Sequence, residues 1–391
     1  MLAELPAVIA GGGAGGTYDE RVREALAVRG DDDAYMHAAV ALATLGTGAT
    51  YPNPCVGAVV VKDGEVVGAG HSAATGGPHA EVRALALAGE RARGATVFVT
   101  LEPCAHFGRT PPCADALIAA GVAEVVFGVS DPAVHRPIGE RGSQVLAAAG
   151  VRVRAAPALS RAACVALHEH YLHHESTHRP WVTLKAATSL DGRIAATGGD
   201  SRWITGEPAR RVGHWLRARH HAIAVGADTL LRDDPQLTAR LFTGADPQPV
   251  IVDSRLRTAD SSAALLRPGT LALHTEHAPE DRRRSLTDRG VQLLAVTADE
   301  HGRVDVPAAL LALGRLPIRS LLVEGGGRLI ASFVAAGAWD RWFWFQAPVL
   351  LGDGVPVLPG LQWSAVAAAP RLRVEQRTPV GVDELIVLRP A

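Results

Sequence analysis

Two segments define the first half of the chain, Pro78-His79-Ala80-Glu81 and Pro103-Cys104-Ala105-His106-Phe107-Gly108-Arg109-Thr110-Pro111-Pro112-Cys113. One histidine and two cysteines can supply three ligands to a tetrahedral zinc ion and leave the fourth position for water, as catalytic sites do. A carboxylate two residues after the histidine can take a proton from that water and pass it to a leaving nitrogen. We therefore predict His79, Cys104 and Cys113 as zinc ligands and Glu81 as the catalytic proton carrier.

The order of these residues indicates one class of chemistry. His-x-Glu followed by Pro-Cys and a second cysteine is the signature of zinc nucleobase deaminases. The alternative is a solvated His-Glu pair with two unrelated thiols, but a His-x-Glu before a helix and a Pro-Cys after an apolar strand favour the zinc site. Most zinc deaminases have Cys-x-x-Cys, whereas eight residues separate Cys104 from Cys113. This sequence pattern resembles the deaminase half of the bifunctional deaminase and reductase family of riboflavin biosynthesis. The resemblance implies that a reductase domain follows.

Length and composition narrow the possible partners. A chain of 391 residues is long enough for two domains with their own cores. Its 39 basic and 40 acidic residues balance, so no positive electrostatic field that would attract nucleic acid is expected. Aromatic residues make up only 5 %, so no surface for base stacking is expected either. A small-molecule substrate is the simpler prediction.

The cysteines and the hydropathy of the chain indicate a compartment. Four cysteines do not make a disulfide framework in a chain of this length, and Cys55 and Cys164 are expected to be buried small residues. No apolar run reaches the roughly eighteen residues of a membrane span, and the N-terminus has no basic segment typical of a secretory signal. We expect no membrane partner and a cytoplasmic protein.

The first thirty residues carry a weak motif. Gly11-x-Gly13-x-x-Gly16 has the glycine spacing of the dinucleotide-binding fingerprint. However, the possible helix that follows it leads into a second predicted helix instead of the β-strand of a βαβ unit. A run of glycine and alanine is more typical of a flexible segment. We predict a flexible N-terminal extension over residues 1–30.

Residues 31–178 alternate between predicted strands and helices, as in an α/β domain with its site at strand ends. Asn53, in a proline-stiffened turn, and His71, after a strand, can read the edge of a heterocycle by hydrogen bonds. The alternative is an Asx-turn residue and a surface histidine. The family resemblance, which includes Pro-Asn-Pro-x-Val-Gly at residues 52–57, favours substrate binding and implies a cytidine-deaminase-like three-layer fold.

A second possible metal motif lies near the end of this domain. Residues 174–178 spell H-E-x-x-H, which in zinc proteases places both histidines on one helix face. Arg179-Pro180 follows immediately and must disturb a helix at His178. A helix leading into an interdomain linker is the better interpretation.

A new domain is predicted over residues 179–391. Its most informative part is an apolar strand at residues 318–323, followed by Glu324-Gly325-Gly326-Gly327 and a helix. Consecutive glycines let backbone amides approach a phosphate at the positive end of a helix dipole, although such turns also serve only to pack a helix on a sheet. We favour phosphate binding. Residues 229–240 are predicted to form a polar loop.

This half is similar to the reductase half of the same family, through Leu-Lys-x-Ala-x-Ser-Leu-Asp-Gly-Arg, Ser-x-Trp-Ile-Thr, Asp-Asp-Pro-x-Leu-Thr-x-Arg and Val-Glu-Gly-Gly. The resemblance implies a dihydrofolate-reductase-like α/β domain that uses NADPH. The residues implied to bind NADPH are Ala187, Trp203, Thr229, Asp233, Ser254, Gly326, Gly327, Arg328, Leu329, Ile330, Ala331 and Ser332. The residues implied to bind the substrate are Lys185, Ser201, Arg217, Leu237, Arg240 and Glu324. Arg217 and Arg240 suit a substrate phosphate, because guanidinium binds phosphate through two hydrogen bonds.

The chain departs from the family pattern in places. Ala105 stands where a serine is usual, and residues 131–139 lack the usual Asn-Pro, so the part that this loop plays in the deaminase pocket is open. His220-His221 and Asp340-Arg341 replace more acidic pairs and are expected on the surface. None of these changes removes a catalytic group.

The resemblance implies two reactions and two cofactors, zinc and NADPH. The first is hydrolytic deamination of 2,5-diamino-6-ribosylamino-4(3H)-pyrimidinone 5′-phosphate, and the second is reduction of the ribosyl to the ribityl chain. We also expect a homo-oligomer, in the form of a dimer. Two alternatives stay open: only one half is active and the other is a scaffold, or the protein binds or edits nucleic acid.

Overall fold

The computed structural model describes residues 2–11, 17–132, 141–242 and 245–391. Contacts divide the chain into two compact units, one spanning Gly13–Thr177 and the other comprising Leu2–Gly12 and His178–Ala391. The helices are α1 (Leu5–Ile9), α2 (Tyr18–Leu26), α3 (Asp32–Ala43), α4 (Ala80–Ala88), α5 (Cys113–Ala119), α6 (Gly142–Ala148), α7 (Ala158–Thr177), α8 (Glu207–Ala218), α9 (Ala227–Asp233), α10 (Glu280–Asp288), α11 (Val306–Arg315) and α12 (Gly327–Ala335). Across these ranges, no helix has the length and apolar character needed to cross a membrane.

The described strands form two main sheets and one two-stranded sheet. They are β1 (Gly57–Lys62), β2 (Glu65–His71), β3 (Thr96–Leu101), β4 (Glu124–Val129), β5 (Arg152–Ala155), β6 (Trp181–Ser189), β7 (Arg193–Ala195), β8 (Ala222–Gly226), β9 (Gln248–Val252), β10 (Leu271–His274), β11 (Gln292–Ala295), β12 (Ser320–Glu324), β13 (Arg341–Ala347), β14 (Val355–Pro356), β15 (Leu372–Val380) and β16 (Asp383–Pro390).

The first unit has three layers. Its described strands pair in the order β2-β1-β3-β4-β5, with β1 antiparallel to both neighbours and β3, β4 and β5 parallel. Successive residues of a strand point to opposite faces, so Val60 packs with α4, α5 and α6 while Val59 packs with α3 and α7. The predicted three-layer α/β domain is confirmed.

Two glycines bring the helix that carries the zinc motif onto the edge of this sheet. A Cβ atom at Gly68 of β2 would lie 2.2 Å from the carbonyl oxygen of Ala84, and one at Gly70 would lie 2.8 Å from that of Ala80. Only a residue without a side chain permits such a close approach of backbones. Helix α4, and with it His79 and Glu81, is therefore fixed directly against β2.

The predicted flexible extension at residues 1–30 is wrong where the structure describes it. In the second unit, α1 packs against α8 and buries Leu5 and Val8 completely. In the first unit, α2 packs on β2 and α3, and Thr17 and Glu20 form a reciprocal capping box at its start. Buried apolar residues and a capped helix end stabilise these segments. The glycine-rich residues 12–16, and most of the possible fingerprint, lie outside the described residues.

The second unit is built on a mixed sheet. Among the described strands the order is β11-β10-β9-β8-β12-β6-β13-β16-β15. In this order, every pair of neighbours from β11 through to β13 is parallel. The pairs β13-β16 and β16-β15 are antiparallel. The predicted polar loop at residues 229–240 is only partly correct, because α9 continues to Asp233 before the chain becomes irregular.

Helix α7 ends where the proline rule predicts. Its last residue is Thr177, and His178 has a φ of 57°, outside the helical range. His174 and His178 therefore do not share one helix face, as an H-E-x-x-H site requires. Over the described residues, only His79, Cys104 and Cys113 form a cluster that could hold a metal ion.

One residue of each pair expected on the surface, His220 and Arg341, is buried. His220 is only 2 % exposed and accepts a hydrogen bond at Nε2 from the Thr183 hydroxyl (2.7 Å), while its Nδ1–H donates to the Leu216 carbonyl (2.7 Å). Arg341 is also buried, and it forms an ion pair with Glu375. Because these partners come from distant parts of the chain, local polarity could not indicate the burial.

Acid is expected to destabilise the second unit through His220. Burial lowers the pKa of this histidine to about 4, below the unfolded value of about 6.5. Its contribution to stability is therefore complete above about pH 6.5 and is lost as pH falls towards 4, which costs about 2 kcal/mol at pH 5.

Tryptophan fluorescence can measure this effect, since all seven tryptophans follow residue 180. We expect the free energy of unfolding in urea to differ less between pH 7.5 and pH 5.0 in His220→Gln than in the wild type. The exposed His301 provides the control, and His301→Gln should retain the full dependence. An unchanged dependence in His220→Gln would contradict the prediction.

Candidate zinc and nucleotide sites

Three elements of the first unit bring the predicted zinc ligands together. His79 precedes α4, Cys104 follows β3, and Cys113 opens α5. The His79 Nδ1 atom lies 3.0 Å from Cys113 Sγ and 3.7 Å from Cys104 Sγ, and all three ligand atoms lie within 4.8 Å of one another. Zinc–sulfur and zinc–nitrogen bonds of about 2.3 and 2.0 Å place tetrahedral ligands roughly 3.5 to 4 Å apart. The residues present therefore fit a zinc ion.

Thr110, which the sequence reading did not single out, orients the histidine. Its hydroxyl lies 3.3 Å from His79 Nε2, which leaves Nδ1 directed at the two thiols. The Cys113 backbone N–H also donates to Cys104 Sγ at 3.3 Å. Such partners of the ligands fix ring orientation in zinc sites. Thr110 lies in the long segment between the cysteines, so this segment has a structural role in the site.

Glu81 is placed to exchange protons beside the ligands. It is 4 % exposed, and burial, followed by the charge of Cys104, raises its pKa to about 7. A carboxyl group that titrates near neutral pH is suited to general acid and base catalysis. The hydrogen bond with Cys113 lowers the pKa of Cys104, whereas that same bond and burial raise the pKa of Cys113.

Glu102 is buried next to the ligands but has a structural role. Its carboxylate accepts hydrogen bonds from the backbone N–H groups of Asp131 and Ser143, both at 3.2 Å, and from the Ser143 hydroxyl. Arg141 forms a longer ion pair with it at 3.5 Å. Glu102 thus fixes both ends of the altered loop, whose residues 133–140 lie outside the described residues.

Of the two predicted substrate residues of this unit, Asn53 lies in a turn and His71 is the last residue of β2. Asn53 is exposed in a turn closed by its own N–H and the Thr50 carbonyl (2.9 Å). The Thr75 hydroxyl is within hydrogen-bonding distance of the carbonyl oxygens of Thr50 (2.8 Å) and Tyr51 (2.6 Å). The loop between His71 and His79 is therefore joined to the turn that carries Asn53.

In the second unit, the strand-glycine-helix element forms one wall of a cavity. Gly325 and Gly326 have φ values of 99° and 67°, which favour glycine, and a Cβ on Gly326 would lie 3.0 Å from the Thr229 hydroxyl. Helix α12 begins directly after them. The adjoining cavity has a volume of about 390 Å³. Its backbone amides and size are suited to part of a dinucleotide such as NADPH.

The structure gathers half of the predicted NADPH residues around this cavity. They are Thr229, Ser254, Gly326, Arg328, Leu329 and Ser332. Ala187, Trp203, Asp233, Gly327, Ile330 and Ala331 do not line it. Three arginines that the sequence reading missed do line it, namely Arg255, Arg257 and Arg303. Arg255 directly follows Ser254 after the end of β9. A basic residue next to a predicted NADPH contact could have indicated that Arg255 lines the same site.

The predicted substrate residues include a buried charge cluster. Lys185 and Glu324 are register partners on the parallel strands β6 and β12. Arg217 of α8 donates from both Nε (3.0 Å) and Nη2 to Glu324 Oε2. Burial alone would raise the pKa of Glu324, but Arg217 and Lys185 lower it below the usual value. Glu324 Oε1 is buried without a hydrogen-bond partner among the described residues, so it remains available as an acceptor.

One loop joins this cluster through a shared acceptor. The Thr238 carbonyl accepts from Arg217 Nη1 (3.1 Å) and from His214 Nδ1–H (2.9 Å). Leu237 of this loop is buried with a φ of 55°, and Arg240 is exposed. Burial, then Arg217 and Arg240, lowers the pKa of His214 to about 4. His214 was not among the site residues predicted from the sequence. No described contact links Ser201 to the cluster.

Fold and site together define a zinc-type deaminase domain and a second α/β domain with a nucleotide-binding element. Two family models match the chain, the cytidine and deoxycytidylate deaminase zinc-binding region over residues 29–129 and the RibD C-terminal domain over residues 180–385. The riboflavin biosynthesis protein RibD of Aquifex aeolicus is 40% identical over 84% of this chain and 90% of its own. The Escherichia coli protein is also 40% identical, over 90% of this chain and 97% of its own.

Solved structures agree with the sequence matches. Acinetobacter baumannii RibD has a TM-score of 0.83 and 36% identity, covering 92% of this chain and 99% of its own. The Thermotoga maritima diaminohydroxyphosphoribosylaminopyrimidine deaminase and 5-amino-6-(5-phosphoribosylamino)uracil reductase has a TM-score of 0.80 and 33% identity with the same coverage. The chain belongs to the RibD family of riboflavin biosynthesis proteins. It is a bifunctional enzyme with a deaminase and a reductase domain, and its cofactors are zinc and NADPH.

Proposed function

We propose that the chain deaminates 2,5-diamino-6-ribosylamino-4(3H)-pyrimidinone 5′-phosphate and then reduces the ribosyl side chain to ribityl. The observation that carries this proposal is the presence of a candidate site in each unit. Glu81 lies beside the His79, Cys104 and Cys113 cluster in one unit, and Lys185, Arg217 and Glu324 form a charge cluster in the other. A candidate site in each unit argues against a chain with only one active half.

In the deaminase domain we assign proton transfer to Glu81. Bound zinc lowers the pKa of water to about 7, which makes water a nucleophile at neutral pH. We assign to Glu81 the transfer of a proton from water to the departing ammonia, because its carboxyl group is buried beside the ligands and this burial raises its pKa to about 7. His79, Cys104 and Cys113 are the proposed ligands, and Asn53 and His71 are the proposed contacts to the pyrimidine.

In the reductase domain the protein mainly positions two molecules. Bound NADPH supplies the hydride, so no dominant acid or base is required of the chain. We propose that Glu324 Oε1 accepts a hydrogen bond from the substrate while Arg217 and Lys185 fix the carboxylate. Arg217 is already engaged with Glu324 and Thr238, so the exposed Arg240 is the freer candidate for the substrate phosphate. Gly326 and the start of α12 are the proposed contacts to phosphate groups of NADPH.

We also propose the broader organisation of the protein. The deaminase domain comprises residues 31–178 and the reductase domain residues 179–391. No disulfide joins Cys55, Cys104, Cys113 or Cys164, which is consistent with a reducing compartment such as the cytoplasm. Balanced charge supports a small-molecule substrate over nucleic acid, and a homodimer is our working proposal for the assembly.

Incubation of the purified protein with the diamino substrate tests this function. Without NADPH we expect release of one ammonia and accumulation of the deaminated ribosyl product. With NADPH we expect the ribityl product and matching oxidation of NADPH, and metal analysis should find one zinc per chain. Ammonia release without any NADPH oxidation would refute the reductase assignment, and the reverse pattern, tested with deaminated substrate, would refute the deaminase assignment.

A further inference from the structure

Three side chains from separate elements of the first unit pack together at the end of β2. The Tyr18 ring of α2 meets the His71 ring edge to face, with centroids 5.2 Å apart and planes at 69°. The Arg83 guanidinium of α4 lies over the same tyrosine ring, 4.2 Å from its centroid. Tyr18 therefore contacts both the proposed substrate residue His71 and its cationic neighbour.

Hydrogen bonds fix the imidazole that Tyr18 contacts. His71 Nδ1–H donates to the Ser72 carbonyl at 2.8 Å, which leaves Nε2 as the acceptor of the neutral ring. Arg83 Nη1 donates to the His71 carbonyl at 3.1 Å and lies 3.5 Å from Nε2, at the limit of a hydrogen bond. Burial and then Arg83 lower the pKa of His71, which favours the neutral ring. A substrate amino or ring N–H group can therefore donate to Nε2.

This cluster lies close to the zinc site along the chain. The Arg83 N–H donates to the His79 carbonyl at 3.2 Å, one helical turn after that ligand. On the other side, the Val56 N–H and carbonyl bond to Ser72, next to the turn that carries Asn53. His71 thus lies between the proposed pyrimidine-binding turn and the helix that carries Glu81.

Tyr18 is fixed by local structure outside the matched family region. The deaminase family model begins at residue 29, whereas Tyr18 is the first residue of α2. The Thr17 N–H donates to the Glu20 carboxylate at 2.7 Å, and the Glu20 N–H donates to the Thr17 hydroxyl at 3.3 Å. A capped helix start limits the freedom of the ring that follows it.

We propose that Tyr18 is a positioning residue of the deaminase reaction, which holds Arg83 and the His71 imidazole in place to bind the pyrimidine substrate. The N-terminal segment thereby becomes part of the substrate site. The inference rests on the proposed deaminase function and on the assignment of His71 to substrate binding. Tyr18 touches no reacting atom, so it acts on substrate affinity and leaves the chemical step unchanged.

Steady-state deamination kinetics of Tyr18→Ala and Tyr18→Phe test the proposal. Tyr18→Ala is expected to raise KM about tenfold with kcat within about twofold, because lost ring contacts weaken binding without touching the reacting atoms. Tyr18→Phe keeps the ring and is expected to retain the wild-type KM. Glu24→Ala removes an exposed ion pair with Arg21 on the same helix and should change neither constant.

Zinc content and NADPH oxidation with deaminated substrate serve as internal checks, and both should equal the wild type in every variant. A wild-type KM in Tyr18→Ala would overturn the proposal. So would an equal KM rise in Tyr18→Phe, or a fall in kcat at unchanged KM. If the wild-type protein releases no ammonia at all, the deaminase assignment itself fails, which separates the two hypotheses.

Discussion

Replacement of Glu81 by glutamine is expected to lower kcat for deamination by about three orders of magnitude. The amide is nearly isosteric with the carboxylate, but it cannot take a proton from water or deliver one to ammonia. Because Glu81 is 4 % exposed, bulk water cannot substitute readily for its proton transfer. Ammonia release measured under saturating substrate reports the effect directly.

The same variant should leave the other properties of the chain intact. Glu81 is not a proposed ligand, so zinc content should remain at the wild-type value, and NADPH oxidation with deaminated substrate should continue at the wild-type rate. The exposed Glu90, just beyond α4, gives a matched control, and Glu90→Gln should deaminate normally. Wild-type deamination in Glu81→Gln would remove Glu81 from the mechanism, whereas loss of both reactions would refute independent sites.

The second large effect is expected at Glu324. Glu324→Gln removes the negative charge that faces Arg217 and Lys185 in a buried cluster. Lys185 and Arg217 are partly buried, and leaving such cations without a counter-charge is unfavourable, so we expect a less stable second unit. We also expect kcat/KM for reduction to fall about a hundredfold, since the proposed substrate acceptor and the position of Arg217 both change.

Two measurements separate these contributions. Urea unfolding followed by tryptophan fluorescence reports the stability of the second unit, and NADPH oxidation at a temperature where the variant is folded reports catalysis. Glu280 forms an exposed ion pair with Arg283, and Glu280→Gln should change neither quantity measurably. Deamination should persist in both variants. Full reductase activity in a folded Glu324→Gln protein would exclude Glu324 from substrate binding.

Much of the zinc site could be predicted because its information is local. His79 and Glu81 are two residues apart at one helix start, and Cys104 directly follows a strand and a proline. Residue type and short spacing therefore define the chemistry before any packing is known. The Gly325-Gly326 turn was predictable for the same reason, since positive φ values at consecutive positions select glycine.

Contacts between distant elements were not predictable in this way. Arg217 and Glu324 are 107 positions apart in the chain, and no local pattern shows that α8 packs over the end of β12. His220 was predicted to lie on the surface, and its burial and its hydrogen bond with Thr183 are seen only in the structure. The reading of residues 1–30 failed because the glycine-rich stretch outweighed the shorter capping signal of Thr17 and Glu20.

The class of chemistry, the ligand types and the α/β alternation of both halves follow from the amino-acid sequence alone, because each is encoded in spacing along one segment. Which faces of these elements pack together became known from the folded structure. It joined Tyr18 to His71 and Arg83, gathered the missed arginines around the second cavity, and buried Glu324 among cations. These contacts depend on close packing between separate elements, and packing is a property of the whole fold rather than of any one stretch of sequence.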